Sequence, residues 1–123
     1  MMKKSLLGEL LGTFILVFIG CGSVGYAVLV NPLDLWQIAL IWGGGVALAI
    51  YASAPFSDAH LNPAVTAGFV LKGDLKKSEI IPYLLGQFLG AFVAAATLFL
   101  IFKSHFETKI IENAMMFGEY YPN

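Results

Sequence analysis

Charge is what this sequence has least of. Of its 123 residues 12% are charged and 59% are hydrophobic, whereas a typical soluble domain is about 25% charged. So few ions cannot cover a water-facing surface, and most of the solvent of this chain must be lipid. A single cysteine, Cys21, sits inside an apolar run. That excludes an internal disulfide and offers no metal-ligand spacing, so the thiol reads as a small buried packing group. No basic patch accompanies the net charge of -1, which excludes nucleic acid as a partner. Gly43-Gly44-Gly45 lacks the Lys-Ser/Thr that follows the glycines of a phosphate-binding loop, and reads instead as a helix surface thinned for packing.

What the sequence has in abundance is long apolar segments. Leu6–Val30 is apolar apart from Glu9 and a few small polar residues, longer than the roughly 20 residues that span a bilayer. It also exceeds the roughly 7–15 residues of a signal-peptide core, so it is read as a retained span. Asn31-Pro32-Leu33-Asp34 is a turn. Leu35–Ala54 is the second span and Ile80–Phe102 the third, with Lys103 able to snorkel from its end. Between them lie a loop at 55–59, a short helix over Asn62–Leu71, and the most charged stretch, Lys72–Glu79, expected to be aqueous. The tail from 104 to 123 is mixed and polar.

The short helix sets the architecture. About ten residues rising 1.5 Å each give about 15 Å, half of a hydrocarbon core of about 30 Å. It cannot cross, and it carries almost no charge for an interfacial face. A re-entrant unit over about 55–72 is expected, in which a loop enters the membrane and the half-helix returns to the same side. With the N-terminus cytoplasmic, Lys3, Lys4, Lys72, Lys76 and Lys77 lie inside, and Lys103 and Lys109 outside, as the positive-inside bias requires. Small-residue pairs at four-residue spacing (Gly8 and Gly12, Gly43 and Ala47, Gly45 and Ala49, Gly86 and Gly90) predict a tightly packed bundle.

His60-Leu61-Asn62-Pro63-Ala64-Val65-Thr66 opens the short helix. Asn is a favoured N-cap and Pro is tolerated at the first helical position. A helix start at membrane depth exposes amide donors that lipid cannot satisfy, so it must be buried in protein or face a watery cavity. As a cap, the Asn62 oxygen accepts from the early amides and its NH₂ remains a fixed donor. Added to about half a positive charge at the helix tip, this favours a neutral oxygen and repels a cation. Asp58 and His60 are the pair that suggests a metal or acid–base site. No third ligand or nucleophile accompanies them, since His105 and Glu107 fall in the outer tail. No enzyme, metal or cofactor is expected. Glu9 and Gln87 are polar groups within spans, which usually face a bundle interior. Glu9 sits either near the interface or where it accepts donors from the loop at Pro55–Leu61.

These segments resemble a known family. Gly8-Glu9-Leu10-Leu11-Gly12-Thr13, Ser57-Asp58-Ala59-His60-Leu61-Asn62-Pro63-Ala64-Val65-Thr66 and Gly86-Gln87-Phe88-Leu89-Gly90-Ala91 are similar to the first span, first re-entrant loop and third span of the aquaporin and aquaglyceroporin (major intrinsic protein) family. The resemblance covers essentially the whole chain. It implies an all-α membrane fold of three transmembrane helices and one re-entrant half-helix, half of a six-span inverted-repeat bundle. It implies a pore wall of backbone carbonyls at Asp58, Ala59 and His60, with Asn62, Pro63 and Ala64 at its centre. Ile41-Trp42-Gly43 with Val46-Ala47 looks most like the glycerol uptake facilitator type, where a Trp at the position of Trp42 forms the apolar wall of an outer constriction and Val46 lines the pore a turn beyond.

Asp58 stands where the family usually has Gly, and the second Asn-Pro-Ala, the following Arg and three further spans have no counterpart here. The resemblance therefore implies the N-terminal half of a plasma-membrane channel for glycerol, other small neutral polyols and water. It also implies a homotetramer in full-length form and a need for the complementary C-terminal half. The alternatives are a non-conducting fragment or subunit that only packs with other helices, and half of a water-selective pore.

Overall fold

The computed structural model describes residues 2–106 and 115–118 of the chain, and within them every regular element is helical. Helix α1 is Met2–Leu29, α2 is Leu35–Ser53, α3 is Pro63–Lys72 and α4 is Ile80–Phe102, with single 3₁₀ turns at Lys77–Glu79 and Lys103–His105. Three of these helices are long and apolar enough to cross a membrane, and α3 is not. Most of the tail expected outside, with Lys109, falls beyond the described residues.

Local chemistry sets the ends. After α1, the amides of Val30 and Asn31 both donate to the Tyr26 carbonyl, at 3.0 Å each. At the start of α2 the amide of Asp34 donates to Gln37 Oε1 at 2.8 Å, one arm of the reciprocal cap that such spacing allows. Helix α3 stops at Gly73, whose φ of 85° is the left-handed conformation that glycine adopts without strain. There the amides of Gly73 and Asp74 close onto Val70 and Phe69. Pro82 lies in the first turn of α4, where its missing N–H has no intrahelical partner to lose.

The bundle is organised around α1, which packs on α4 and α2, while α3 packs on α4. The inward face of α1 is small and polar: Ser5, Gly8, Glu9, Gly12, Thr13, Gly20, Ser23 and Gly25 are buried. The facing stripe of α4 runs through Tyr83, Gly86, Gln87, Gly90, Ala94, Leu98 and Phe102. A Cβ added to Gly86 would come within 2.6 Å of the Leu6 carbonyl oxygen, and one on Gly90 within 2.4 Å of that of Leu10. The two backbones touch there, which is how helices associate in lipid without a hydrophobic force between them. Large apolar side chains point outward instead, among them Leu35, Trp36, Tyr51, Ile81, Phe88 and Phe92.

Two expectations need correction. A Cβ added to Gly43 or Gly44 would meet nothing within 4 Å, and only Gly45 of that triplet packs, against Ile19. The Lys72–Glu79 stretch is not wholly aqueous: Leu75 and Glu79 are buried, and Glu79 accepts from Ser5 Oγ at 2.6 Å. That bond holds the start of α4 to the start of α1. Cys21 is half-buried against the Leu98–Phe102–Met116 cluster.

Candidate functional site: a loop and short helix held by Glu9

The packing on α1 measures how deep the loop goes. Ser53, ending α2, lies on Gly12; Phe56 and Ser57 lie on Gly8; Leu61 lies on Gly12 again. The connection thus moves one helical turn towards the lysine-bearing end and climbs back, so that Asn62 starts α3 next to the level of Gly12, inside the bundle but short of the midpoint of α1. From Met2, Gly12 is ten residues along α1, about 15 Å. Helix α3 then runs about 15 Å back to Lys72. Lys72 ends in an exposed 2.6 Å ion pair with Asp74.

Glu9 holds the loop. It is fully buried, and each carboxylate oxygen accepts twice. Oε1 takes Ser57 Oγ at 2.8 Å and the His60 amide at 3.0 Å; Oε2 takes the Leu61 amide and Gln87 Nε2, both at 2.7 Å. All four acceptor positions of a carboxylate are filled. Of the two readings the sequence allowed for Glu9, the hydrogen bonds match the acceptor of loop donors. Ala59 and Leu61 both have φ of 52°, a left-handed conformation that costs an L-residue about 1–2 kcal/mol. Charge-assisted hydrogen bonds, worth about 1.5–3 kcal/mol each, are strong enough to hold them there.

A second chain of contacts locks the half-helix. Gln87 Nε2 also donates to Thr66 Oγ1 at 2.9 Å, and that hydroxyl donates to the Asn62 carbonyl at 3.2 Å. His60 Nδ1 lies 3.2 Å from the same oxygen. The His60 ring is held between Phe69 and Tyr83, with centroids 4.4 and 4.7 Å away. Its Nε2 is buried and without a partner among the described residues, as are Gln87 Oε1 and Thr13 Oγ1.

Asn62 caps α3 as its position demands, its Oδ1 accepting from the Ala64 amide at 2.8 Å. Asn62, Pro63 and Ala64 are exposed on an open side of the chain, and Ala59 is half-buried. The charge of Asp58, without a sequence explanation, has a partner: Tyr83 donates to its Oδ2 at 3.1 Å and accepts from its amide at 3.0 Å. Trp42 and Val46 are half-buried on α2, and the Trp42 ring lies against Gly20. Gly20 is eight residues beyond Gly12 along α1, about 12 Å. Trp42 therefore sits nearer the far end, at a different level from the loop. It borders an apolar cavity of about 610 Å³ with Val24, Val28, Leu33 and Ile38. Sequence reasoning passed over Thr66, Tyr83 and Ser57 as site residues. For Thr66 a signal existed, since it is four residues after the cap and one helical turn from it. No group of three or more potential ligands able to hold a metal occurs among the described residues.

Known proteins resemble this chain in sequence and in fold. The chain is 42% identical over 106 residues to the glycerol uptake facilitator protein of Haemophilus influenzae, covering 85% of this chain and 40% of that protein. It is 44% identical over 117 residues to the glycerol uptake facilitator protein of Streptococcus pneumoniae strain R6, covering 92% and 49%. Among solved structures, the X-ray structure of the aquaglyceroporin from Plasmodium falciparum superposes with a TM-score of 0.77 at 33% identity, over 85% of this chain and 43% of that one. The chain thus spans half or less of the length of these relatives. The family model for the major intrinsic protein matches residues 1–121. With three membrane-length helices and one shorter apolar helix, this chain belongs to the major intrinsic protein family of membrane channels.

Proposed function

We propose that this chain supplies the N-terminal half of a passive channel for glycerol, other small neutral polyols and water. The observation that carries the reading is the tip of α3: an Asn62-capped helix start, exposed on the open side of the chain and following Leu61, which packs on Gly12 of α1. The side-chain oxygen of Asn62 is used by the cap, so its NH₂ is the group left to meet a solute. That donor and the positive end of α3 suit a hydroxyl oxygen and oppose a cation. The carbonyls of Asp58, Ala59 and His60 supply acceptors below it, and Trp42, with Val46 a turn on, an apolar wall for CH groups above it. Such a site makes and breaks no bond. The relatives, glycerol uptake facilitators and an aquaglyceroporin, support the same solute class.

The lysines at the loop's side, Lys4, Lys72, Lys76 and Lys77, favour a cytoplasmic N-terminus in the cell membrane. The open side of Asn62 requires a complementary inverted half to close the pore, within a homotetramer. Stopped-flow swelling in a glycerol gradient tests this, using vesicles that hold the chain alone and vesicles that also hold the remainder of the Haemophilus influenzae relative. We expect flux only with both parts, falling at least tenfold in Asn62→Asp, which keeps the cap and removes the donor. A rate equal to bare lipid in both preparations would refute the channel and support a subunit that only packs.

A further inference from the structure

We infer that Tyr83 and Asp58 form a reciprocal clamp that positions the loop backbone at residues 58–60, and that this clamp tunes which solutes pass. The Tyr83 hydroxyl accepts from the amide of Asp58 at 3.0 Å and donates its hydrogen to Oδ2 of the same residue at 3.1 Å. One phenol thus holds one residue by both main chain and side chain. Tyr83 is 2% exposed and its ring lies against His60, so the hydroxyl has little freedom to follow the loop if the loop moves.

The need for such a clamp follows from backbone geometry. Ala59 has φ of 52° and neither a glycine's freedom nor an Asn side chain to ease that conformation. Glu9 secures the chain after it, at the amides of His60 and Leu61. Before it, the amide of Asp58 is held by Tyr83, and the amide of Ala59 itself is taken by Ser57 Oγ at 3.1 Å. The orientation of the peptides on either side of Ala59 is therefore fixed from two directions, by α1 through Glu9 and by α4 through Tyr83. A residue that supplies both an amide and a carboxylate at 58 gains a second bond to that phenol, which a glycine there would lack. Tyr83 is a positioning residue: it acts through the carbonyls of 58–60 and touches no solute.

Hydrogen exchange of the full chain in lipid nanodiscs reads the clamp directly. Tyr83→Phe keeps the ring against His60 and deletes the hydroxyl. The Asp58 amide is expected to exchange at least tenfold faster, while the Leu61 amide, held by Glu9, stays within twofold of its original rate. Asp58→Asn retains an acceptor for the phenol and is expected to keep the Asp58 amide within threefold. Unchanged exchange at Asp58 in Tyr83→Phe, or an equal acceleration at Leu61, would overturn the clamp. Its effect on passage rests on the channel reading above. In the two-part vesicles the ratio of glycerol to water permeability is expected to shift at least threefold in Tyr83→Phe. An unchanged ratio alongside a deprotected Asp58 amide would refute solute tuning. If the unsubstituted pore carries no flux, the channel reading falls and solute tuning with it, while the exchange pattern still decides the clamp.

Discussion

Between Ser5 and Thr13, α1 meets its neighbours through a carboxylate, hydroxyls and bare glycine backbone; between Phe18 and Leu29 it meets them through Leu98, Phe102 and Met116. The glycines differ in the same way. At the first end, Gly86 and Gly90 receive carbonyl oxygens of α1, whereas at the second, Gly25 receives the flexible side chain of Met116. The end with the loop has irregular backbone donors to satisfy inside the bundle and is built from hydrogen bonds of fixed direction. The other end has only space to fill. Rigidity is concentrated where irregular backbone would otherwise be unsatisfied.

The contrast can be broken most severely at Gly90. Gly90→Val sets a branched side chain against the Leu10 carbonyl, which cannot rotate away. Overpacking of about 3 kcal/mol is expected, read as loss of the folded fraction in a denaturing-detergent titration, with Gly25→Val milder because Met116 can move. The next comparison sets the two interiors against each other. Glu9→Gln, nearly equal in volume, turns an NH₂ towards donors and is expected to destabilise by about 2–4 kcal/mol. It should also deprotect the His60 and Leu61 amides. Leu98→Ala leaves a cavity costing about 2 kcal/mol or more, with those loop amides unchanged. Equal effects of both on the loop would mean that the two ends are not separate. The smallest effect is expected at Gly44→Ala, where nothing lies near. In the isolated chain it should stabilise α2 by about 0.5–1 kcal/mol through helix propensity, measured by the same titration.

How much of this could be read in advance varied with the physical signal. The half-helix was legible because Asn-Pro marks a helix start and the next polar run comes too soon for a span. The first helix was legible as an apolar segment, but its start at Met2 was not, since turns rich in lysine fold as helix once the rest of the segment is in place. The role of Glu9 was readable as one of two options; only the fold showed which amides lie within reach. The left-handed Ala59 and Leu61 were hidden, because neither residue type announces that conformation. Tyr83 was hidden because its partner lies 25 positions away and nothing local couples them. Four-residue glycine spacing predicted close helix contact equally at Gly43 and at Gly86, and only the second has a backbone against it. Spacing gives a face, and the face needs a neighbour.

The two left-handed residues bear on whether this segment is portable. Residues 57–66 spliced into a different helical scaffold would carry the sequence motif and the Ser57 bond to Ala59 but not the shape, because the groups that hold Asp58, His60 and Leu61 belong to α1 and α4. A graft that omitted Glu9, Tyr83 and Gln87 should relax to ordinary extended backbone, and the motif would survive in letters alone.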